Sequence, residues 1–241
     1  VKSYGKGSVQ IWQPLSNNQG AARVTIAKWL TPKERAIDHV GLTPDVYVTM
    51  TADDLNAGRD PQLDAARSHL LMALHYGQED DPVALLEEHR NYQRVHAQQL
   101  PRQVTALRRA GREQLQVGFV SADLRRHSVA YFLEPVLERC DTQRFATVCY
   151  ANSTHQDEVT QRLRAHADLW REVAGLTDAE LAARIAEDDI DILIDLGGHT
   201  SKNRCRILAY KPAPLQITYL GYPFTTGLTS CDYRLTDEMS D

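Results

Sequence analysis

The sequence predicts an α/β fold, in which a Rossmann-like, doubly wound parallel sheet is preceded by a short β-rich segment. From residue 115 onward, apolar strand-like runs alternate with amphipathic helical runs, which is the pattern of βαβ units joined by right-handed crossovers. The run IDILIDLGG is almost continuously apolar, as a strand buried on both faces of a parallel sheet requires. Residues 1–50 have a different pattern, in which β-branched and aromatic runs are separated by turn residues, and this pattern predicts strands joined by turns.

Composition and charge narrow the class of protein. The 241 residues are 42% hydrophobic and 24% charged, as in globular domains, and the net charge is −5. This balance predicts no nucleic-acid partner, and no apolar run is long enough to span a membrane. The four cysteines lack the close pairing of zinc ligands, so we expect free thiols and no metal. Because the chain begins at Val1 without a signal-peptide pattern, we expect its N-terminus to be a cut end.

The first hundred residues predict two strands and then a helical segment. The runs SVQIWQPL and ARVTIAKWL are separated by the turn cluster SNNQG. Helical periodicity over about residues 63–99 is interrupted at GQEDDP, and the pairs Asp60–Pro61 and Asp81–Pro82 each supply an N-cap followed by a first-turn proline. The apolar positions that carry this periodicity are Leu70, Leu74, Leu85, Leu86 and Val95.

The second half predicts strands at LQVGFVS, FATVCYA, IDILIDLGG, LQITYLGYP and DYRLTD, with helices between them. In YFLEPVLERC we expect an apolar stripe and a kink or late start at Pro135. The stripe consists of Phe132, Leu133, Val136 and Leu137. The run DEVTQRLRAHADLW predicts one helical face made of Val159, Leu163, His166 and Trp170. A further helix follows Thr177 or Asp178 as its cap, and NRCRILAYK predicts a short one.

Three loops at the carboxyl ends of predicted strands carry the functional signal, because open α/β sheets bind ligands there. In SADLRRHS, Asp123 and His127 follow a strand, and an imidazole near a carboxylate can exchange protons near neutral pH. In DLGGHTSKN, two glycines allow a ligand to approach the backbone, and His199 and Thr200 offer hydrogen bonds. The third loop is LGYPFTTG. Each loop alone is also compatible with solvated residues or a tight turn. If the three strands belong to one sheet, however, the three loops form the walls of one cleft.

An ordered run of motifs resembles a known family. The motifs are LRRHSVAYFLEPVLERC, RFATVCYAN, DEVTQRLRAHADLWREVAGLTD, IDILIDLGGHT, KPAPLQITYLGYPFTTGL and DYRLTD, and the likeness extends back through HLLMALHYGQEDDPVALLEEHR. Together they cover about residues 66–241 and resemble the bacterial O-linked N-acetylglucosamine transferases, the SPINDLY-like glycosyltransferases of family 41. This resemblance implies the N-terminal lobe of a GT-B fold and transfer of N-acetylglucosamine (GlcNAc) from UDP-GlcNAc to serine or threonine hydroxyls of proteins, with inversion.

The resemblance also assigns roles to residues. His127 matches a histidine at the donor–acceptor junction, and Asp123 matches an aspartate proposed to help move the proton; the identity of the general base stays open. Ser128 and Val129 follow in the segment that lines the sugar. The other matched cleft-lining positions are His199, Thr200, Leu220, Gly221, Tyr222 and Pro223. Arg67 stands where many members have a histidine before the serine that matches Ser68. UDP-GlcNAc is the implied donor, a protein or peptide is the implied acceptor, and no metal or other cofactor is expected.

A second resemblance covers the N-terminal residues. The segments YGKGSVQ, PLSNNQGAARVTIAKWLTPKERAIDHVGLTPDVYV and AGRDPQLDAA resemble the end of the carboxyl-terminal processing peptidases, which are serine–lysine proteases. By this likeness Lys6 matches the general base and Gln10 the glutamine that positions it. On spacing alone, Lys6 is an ordinary surface lysine in a turn. The matching nucleophilic serine lies well before the lysine, and neither Ser3 nor Ser8 occupies its position, so no peptidase chemistry is expected.

The two resemblances predict three regions: a β-rich peptidase-like piece at 1–65, a helical segment at 66–112, and a Rossmann-like lobe at 113–241. They imply conflicting compartments, cytoplasmic for the transferase part and periplasmic for the peptidase part. A chimeric or truncated reading frame, an assembly that joined two genes, and a natural fusion are the alternatives. Oligomeric state is not predicted.

Three classes of function follow from these alternatives. The first is an incomplete glycosyltransferase, expected to show no turnover alone because the likeness ends within the first catalytic lobe. The second is a peptidase remnant without its nucleophile. The third is a binding or inert module that contacts sugar or acceptor without turnover.

Overall fold

The computed structural model describes residues 8–14, 21–28, 30–31, 34–37, 39–40, 42–43, 47–56, 60–76, 81–102 and 113–238. The chain divides into two compact units, Val1–Gln62 and Leu63–Asp241. In the first unit, strands β1 (Ser8–Pro14) and β2 (Ala21–Lys28) pair antiparallel, with a register shift between Val9 and Gln10, and helix α1 spans Ala52–Asn56. The two strands that the sequence predicts there are confirmed, whereas the turn cluster between them lies outside the described residues.

The second unit is built on a six-stranded parallel sheet. Its strands are β3 (Leu115–Ser121), β4 (Phe145–Ala151), β5 (Leu169–Glu172), β6 (Ile192–Asp195), β7 (Leu215–Tyr219) and β8 (Tyr233–Leu235). They lie in the order β5-β4-β3-β6-β7-β8, and every neighbouring pair is parallel. The winding therefore reverses between β3 and β6, which confirms the doubly wound Rossmann-like sheet.

Helices connect these strands and precede them. They are α2 (Pro61–Leu74), α3 (Pro82–Tyr92), α4 (Ser128–Glu138), α5 (Glu158–His166) and α6 (Asp178–Glu187), with a π-helical turn at Gln93–Ala97 and a 3-10 helix at Cys205–Tyr210. The Asp81 carboxylate accepts hydrogen bonds from the backbone at the start of α3, as predicted. Thr177 caps α6 and forms a capping box with Glu180.

The apolar core lies on both faces of this sheet. On one face, α4 and α5 bury Val129, Leu133 and Leu163 against β3 and β4. On the other face, α6 and the 3-10 helix bury a second cluster that includes Leu181 and Ile207. The four cysteines are free thiols, and two of them, Cys149 and Cys205, lie inside this core.

Helix α4 differs from its predicted form. The buried positions are Val129, Ala130, Leu133 and Leu137, while Phe132 and Val136 are exposed. The predicted stripe is confirmed at Leu133 and Leu137 and wrong at Phe132 and Val136, because the sheet covers only one face of the helix. Helix α4 begins at Ser128, so a late start at Pro135 was also wrong. Pro135 lies on the exposed side, where water can replace the missing backbone hydrogen bond.

Two other helical predictions need correction. Helix α5 ends at His166, and Trp170 instead belongs to β5, where it pairs with β4, so the predicted face stops at Leu163. In the N-terminal helices, three of the apolar positions that carry the predicted periodicity, Leu70, Leu74 and Val95, are exposed, whereas Leu71 and Tyr92 are buried. The spacing of apolar residues predicted that these segments are helical, but it did not predict which face of each helix is buried.

Candidate active site

A cleft of about 210 Å³ opens at the carboxyl ends of the central strands. Its walls come from the loops after β3, β6 and β7, so it lies where the sheet reverses its winding direction. Open α/β sheets bind their ligands at this position. The lining residues are Asp123, Arg125, His127, Val129, Leu196, Thr200, Ser201, Lys202 and Gly221.

The loop after β3 brings a carboxylate, a guanidinium and an imidazole together. The Ser121 hydroxyl oxygen accepts a hydrogen bond from the Asp123 amide at 2.9 Å, which fixes the turn leaving the strand. The Arg125 guanidinium donates to Asp123 Oδ1 at 2.9 Å, and His127 Nδ1 lies 3.9 Å from Asp123 Oδ2. One carboxylate oxygen is thus held by a cation, while the other faces the imidazole.

His127 is also the N-cap of helix α4. Its Nδ1 accepts a hydrogen bond from the Val129 amide at 3.3 Å, so the neutral ring carries its proton on Nε2. The imidazole is 39% exposed, which leaves Nε2 within reach of a ligand. Ser128, the first residue of the helix, is exposed, and Val129 is buried in the cleft wall.

The loop after β6 is shaped by Asp195, which ends that strand. Its carboxylate accepts from the Gly198 amide at 2.7 Å and more weakly from the Gly197 amide at 3.4 Å. The carboxyl group is fully buried, and burial raises its pKa to about 6 against the smaller lowering effect of these two amides. Thr200 closes the turn by donating from its hydroxyl to the Gly197 carbonyl at 2.8 Å, and it lines the cleft.

The loop after β7 packs directly on the loop after β6. A side chain at Gly221 would place its Cβ 1.9 Å from the Leu196 carbonyl oxygen, and one at Gly198 would meet the Tyr222 Cβ at 2.3 Å. Both glycines are therefore required by close approach. Leu220 is partly buried, and the exposed Pro223 accepts a hydrogen bond through its carbonyl from Arg234.

Five of the ten predicted transferase site residues do not line the cleft, namely Ser128, Leu220 and Pro223 at its edge, and His199 and Tyr222. His199 and Tyr222 are buried and do not line the cleft. Tyr222 forms hydrogen bonds through its hydroxyl with His75 and His89, and His199 bonds to Ser68 and to the Thr226 carbonyl. The structure therefore groups Asp123, His127, Val129, Thr200 and Gly221 around the cleft, and places His199 and Tyr222 in a histidine-rich cluster beneath the two loops that they belong to.

Sequence reasoning also missed several residues. The cations Arg125 and Lys202 line the cleft, and their signal was basic charge inside the two loops already chosen. His75, His89 and Asn203 belong to the buried cluster, and no local pattern relates the first two to loops more than a hundred residues away.

The peptidase-like residues lie in the first unit. Lys6 is outside the described residues. Gln10 lies on β1 and donates from its side-chain amide to the Thr25 hydroxyl on β2 at 3.2 Å.

Within the ranges the structure describes, no three His, Cys, Asp or Glu side chains are grouped as metal ligands would be. The described helices include none with the length and apolar character needed to cross a bilayer.

Comparison with known proteins identifies the family. Residues 46–241 match the family model of Glycosyl transferase family 41. The chain belongs to this glycosyltransferase family. Residues 1–48 match the model of Peptidase family S41, in agreement with the second resemblance in the sequence.

Relatives of this family 41 chain include plant proteins. It is 36% identical over 188 residues to the tomato (Solanum lycopersicum) protein named probable UDP-N-acetylglucosamine–peptide N-acetylglucosaminyltransferase SPINDLY, an alignment covering 76% of this chain and 20% of that protein. It is 36% identical over 132 residues to the Arabidopsis thaliana probable transferase of the same description named SEC, covering 54% of this chain and 14% of the relative. The chain thus spans about a fifth of the length of the first of these relatives.

A solved structure supports the fold assignment. A mutant of the Thermobaculum terrenum O-GlcNAc transferase superposes with a TM-score of 0.69 at 40% sequence identity, covering 74% of this chain and 34% of that one. Together with the strand order, this similarity confirms an α/β lobe of the kind found in the GT-B O-GlcNAc transferases.

Proposed function

We propose that the second unit forms one wall of the catalytic cleft of a protein O-GlcNAc transferase. The reaction moves GlcNAc from UDP-GlcNAc to a serine or threonine hydroxyl of a protein acceptor, with inversion at the sugar carbon. The observation that carries the proposal is the grouping of Asp123, His127 and Gly221 at the switch point of a family 41 sheet. The relatives' names, which describe transfer from UDP-GlcNAc to peptides, supply the substrate class.

The loop after β3 supplies the groups that handle the acceptor proton. As the hydroxyl attacks the sugar carbon it must lose its proton to a nearby acceptor. Because His127 holds its proton on Nε2, this nitrogen donates a hydrogen bond to a substrate oxygen. Asp123 is then the proton acceptor in this wall, since only one of its oxygens is held by Arg125.

The leaving diphosphate needs positive charge. Arg125 and Lys202 are the cations of the cleft wall, and a guanidinium or ammonium near the departing phosphates stabilises the charge that develops there. Thr200 and the backbone around Gly221 offer hydrogen-bonding groups without side-chain bulk, which suits close contact with the sugar.

The size of the cleft limits what this wall does by itself. Its volume of about 210 Å³ is smaller than the roughly 300–1,000 Å³ typical of pockets that enclose a drug-sized ligand. We therefore expect the 241-residue polypeptide to contact only part of a nucleotide sugar and to give no measurable transfer or hydrolysis of UDP-GlcNAc. Robust turnover in such an assay would contradict this expectation.

Calorimetry tests the assignment of the cleft. UDP, UDP-GlcNAc and a serine-containing acceptor peptide are titrated separately into the parent chain, into His127→Ala and Asp123→Asn, and into the control His155→Ala. His155 is an exposed histidine beyond the cleft wall. We expect at least one ligand to bind the parent and to lose about tenfold or more in affinity, about 1.4 kcal/mol, in His127→Ala and not in His155→Ala. Equal affinity in the two variants, or no binding to the parent, would overturn the proposal.

A further inference from the structure

Beneath the cleft, two chains of hydrogen bonds connect the N-terminal helices to the two loops that form its walls. His75 follows α2, and His89 lies on α3. Their rings surround the Tyr222 ring, with centroid distances of 5.2 and 5.8 Å. His199 lies 5.6 Å from His89 and 5.3 Å from Tyr222. Three imidazoles thus share one compact, largely buried cluster.

The direction of each bond in the first chain follows from one carbonyl. The Leu85 carbonyl can only accept, so His89 Nδ1, 2.7 Å away, carries a proton. In neutral His89, Nε2 is therefore unprotonated, and it accepts a hydrogen bond from the Tyr222 hydroxyl at 2.6 Å. The Tyr222 oxygen in turn accepts from His75 Nε2 at 2.9 Å.

The second chain is determined in the same way. The Thr226 carbonyl accepts from His199 Nε2 at 2.9 Å, which leaves His199 Nδ1 to accept the Ser68 hydroxyl proton at 2.9 Å. The Ser68 oxygen accepts from the Asn203 side-chain amide at 3.0 Å. Every donor in both chains meets an acceptor while His89 and His199 are neutral, and His75 donates from Nε2 whether it is neutral or charged.

An added proton breaks both chains. A second proton on His89 would point Nε2–H at the Tyr222 oxygen, which already accepts from His75, and the Tyr222 hydroxyl would need a new acceptor. A proton on His199 Nδ1 would meet Ser68 in the same way. Unsatisfied donors in a buried site are costly, so a proton on His89 or His199 favours a rearrangement of the loops that hold their partners.

These loops carry the cleft. Tyr222 follows Gly221, and its ring is packed against Gly198, while His199 precedes Thr200. A shift of either buried side chain therefore displaces a residue of the cleft wall. We propose that His75, His89 and His199 are positioning residues, which hold the loops after β6 and β7 in place through these hydrogen bonds, and that protonation of His89 or His199 opens the cleft.

The electrostatic surroundings favour the neutral state at pH 7. Burial lowers the pKa of all three imidazoles from 6.5, and that of His199 to about 4. In the part of the chain that the structure describes, the ionisable groups that face the cluster are the histidines themselves, Glu88, Tyr92, Tyr222 and Cys205, and Asp195 binds the Gly198 amide beside His199. Glu88 raises the pKa of His89, and His75 lowers it; burial raises the pKa of both tyrosines, which stay uncharged. Proton uptake by the folded cluster is thus expected below pH 6.5.

The identity of the cleft as a sugar-transfer site rests on the proposed function, whereas the coupling of the histidines to the loops does not. Nuclear magnetic resonance of the full chain, without ligand, separates the two. Imidazole nitrogen shifts and the amide signals of Thr200 and Gly221 are followed from about pH 7.5 to about pH 3, and the Gly198 amide is left out because it bonds to the Asp195 carboxyl, whose pKa is about 6. We expect the amides to shift with the same midpoint as His89 or His199.

Variants decide whether the coupling runs through the hydrogen bonds. His89→Gln can still donate to Leu85 and accept from Tyr222 but does not titrate in this range, so the Gly221 transition attributed to His89 should disappear while the fold is kept. Tyr222→Phe should leave His89 titrating without its effect on Gly221. His166→Gln, which changes an exposed histidine on α5, should behave as the parent does.

Specific results would overturn the positioning role. They are amide shifts that stay constant while the imidazoles titrate, or a Gly221 transition that persists unchanged in both His89→Gln and Tyr222→Phe. If His89→Gln fails to fold, the parent titration and Tyr222→Phe still decide. Failure of UDP-GlcNAc or peptide to bind would remove the proposed function and leave this result standing.

Discussion

Replacing the buried Asp195 by asparagine should change how the stability of the second unit depends on pH. Asp195 is 1% exposed, and among the described residues no cation lies within salt-bridge distance of it. Its hydrogen bonds come from the Gly197 and Gly198 amides. Burial outweighs these amides and raises its pKa from 3.8 to about 6.

The sign and size follow from this shift. A raised carboxyl pKa means that the folded state binds a proton more tightly than the unfolded state does. The carboxyl group therefore costs stability as pH rises through the window from 3.8 to about 6, by about 3 kcal/mol at about 1.4 kcal/mol per pKa unit. Asparagine cannot ionise, so it avoids this cost. The free energy of unfolding of the variant, relative to that of the parent, should therefore rise by about 3 kcal/mol between about pH 3.5 and pH 7.

Urea unfolding with hydrogen exchange at β3 and β6 amides measures this difference, because core amides report the global opening of the sheet. The free energy of unfolding of the parent is subtracted from that of the variant at each pH. The contribution of the histidines then cancels, because they titrate in both proteins. The matched control is Glu187→Gln, which neutralises an exposed carboxylate at the end of α6 and should show no such trend. A flat difference for Asp195→Asn, or one that falls with pH, would mean that burial does not raise the pKa of Asp195.

Three further predictions concern packing and capping. Gly221→Ala places a methyl group 1.9 Å from a backbone oxygen and should lower the melting temperature by several degrees, whereas Gly175→Ala, with nothing within 4 Å, should change it little. Thr177→Ala should cost about 1 kcal/mol in urea unfolding by removing the α6 capping box, and Thr177→Ser should keep most of it; equal losses would contradict the cap. In the same assay, Leu133→Ala should lower the free energy of unfolding by about 2–5 kcal/mol, and Phe132→Ala, at an exposed position, by much less. Similar losses in the two variants would contradict the assignment of the buried face of α4.

Much of the sheet could be predicted because the signals are local. Near-continuous apolar runs marked strands buried on both sides, and Asp81 and Thr177 marked helix starts through their caps. The rule that ligands bind at the carboxyl ends of parallel strands then selected the loops that carry Asp123, Thr200 and Gly221. The structure brings these three residues into one cleft wall.

What could not be predicted depends on contacts between distant residues. Period alone does not say which side of α4 meets the sheet, so Phe132 was placed in the core although it is exposed. His199 looked like a ligand contact because it follows two glycines at a strand end. Its ring turns inward because Ser68, 131 residues away, supplies a partner. A local sequence pattern cannot predict such a contact, because its two residues lie far apart in the chain.

Photo-crosslinking shows whether an acceptor peptide binds in the cleft at the carboxyl ends of β3, β6 and β7. An acceptor peptide with a photoreactive residue beside its serine is irradiated with the full chain in the presence of UDP, and the labelled residues are mapped by mass spectrometry. We expect labels within 123–129, 196–202 and 220–221, and their loss on addition of excess unmodified peptide. Labelling concentrated elsewhere, for example on the exposed residues of α5, would contradict it.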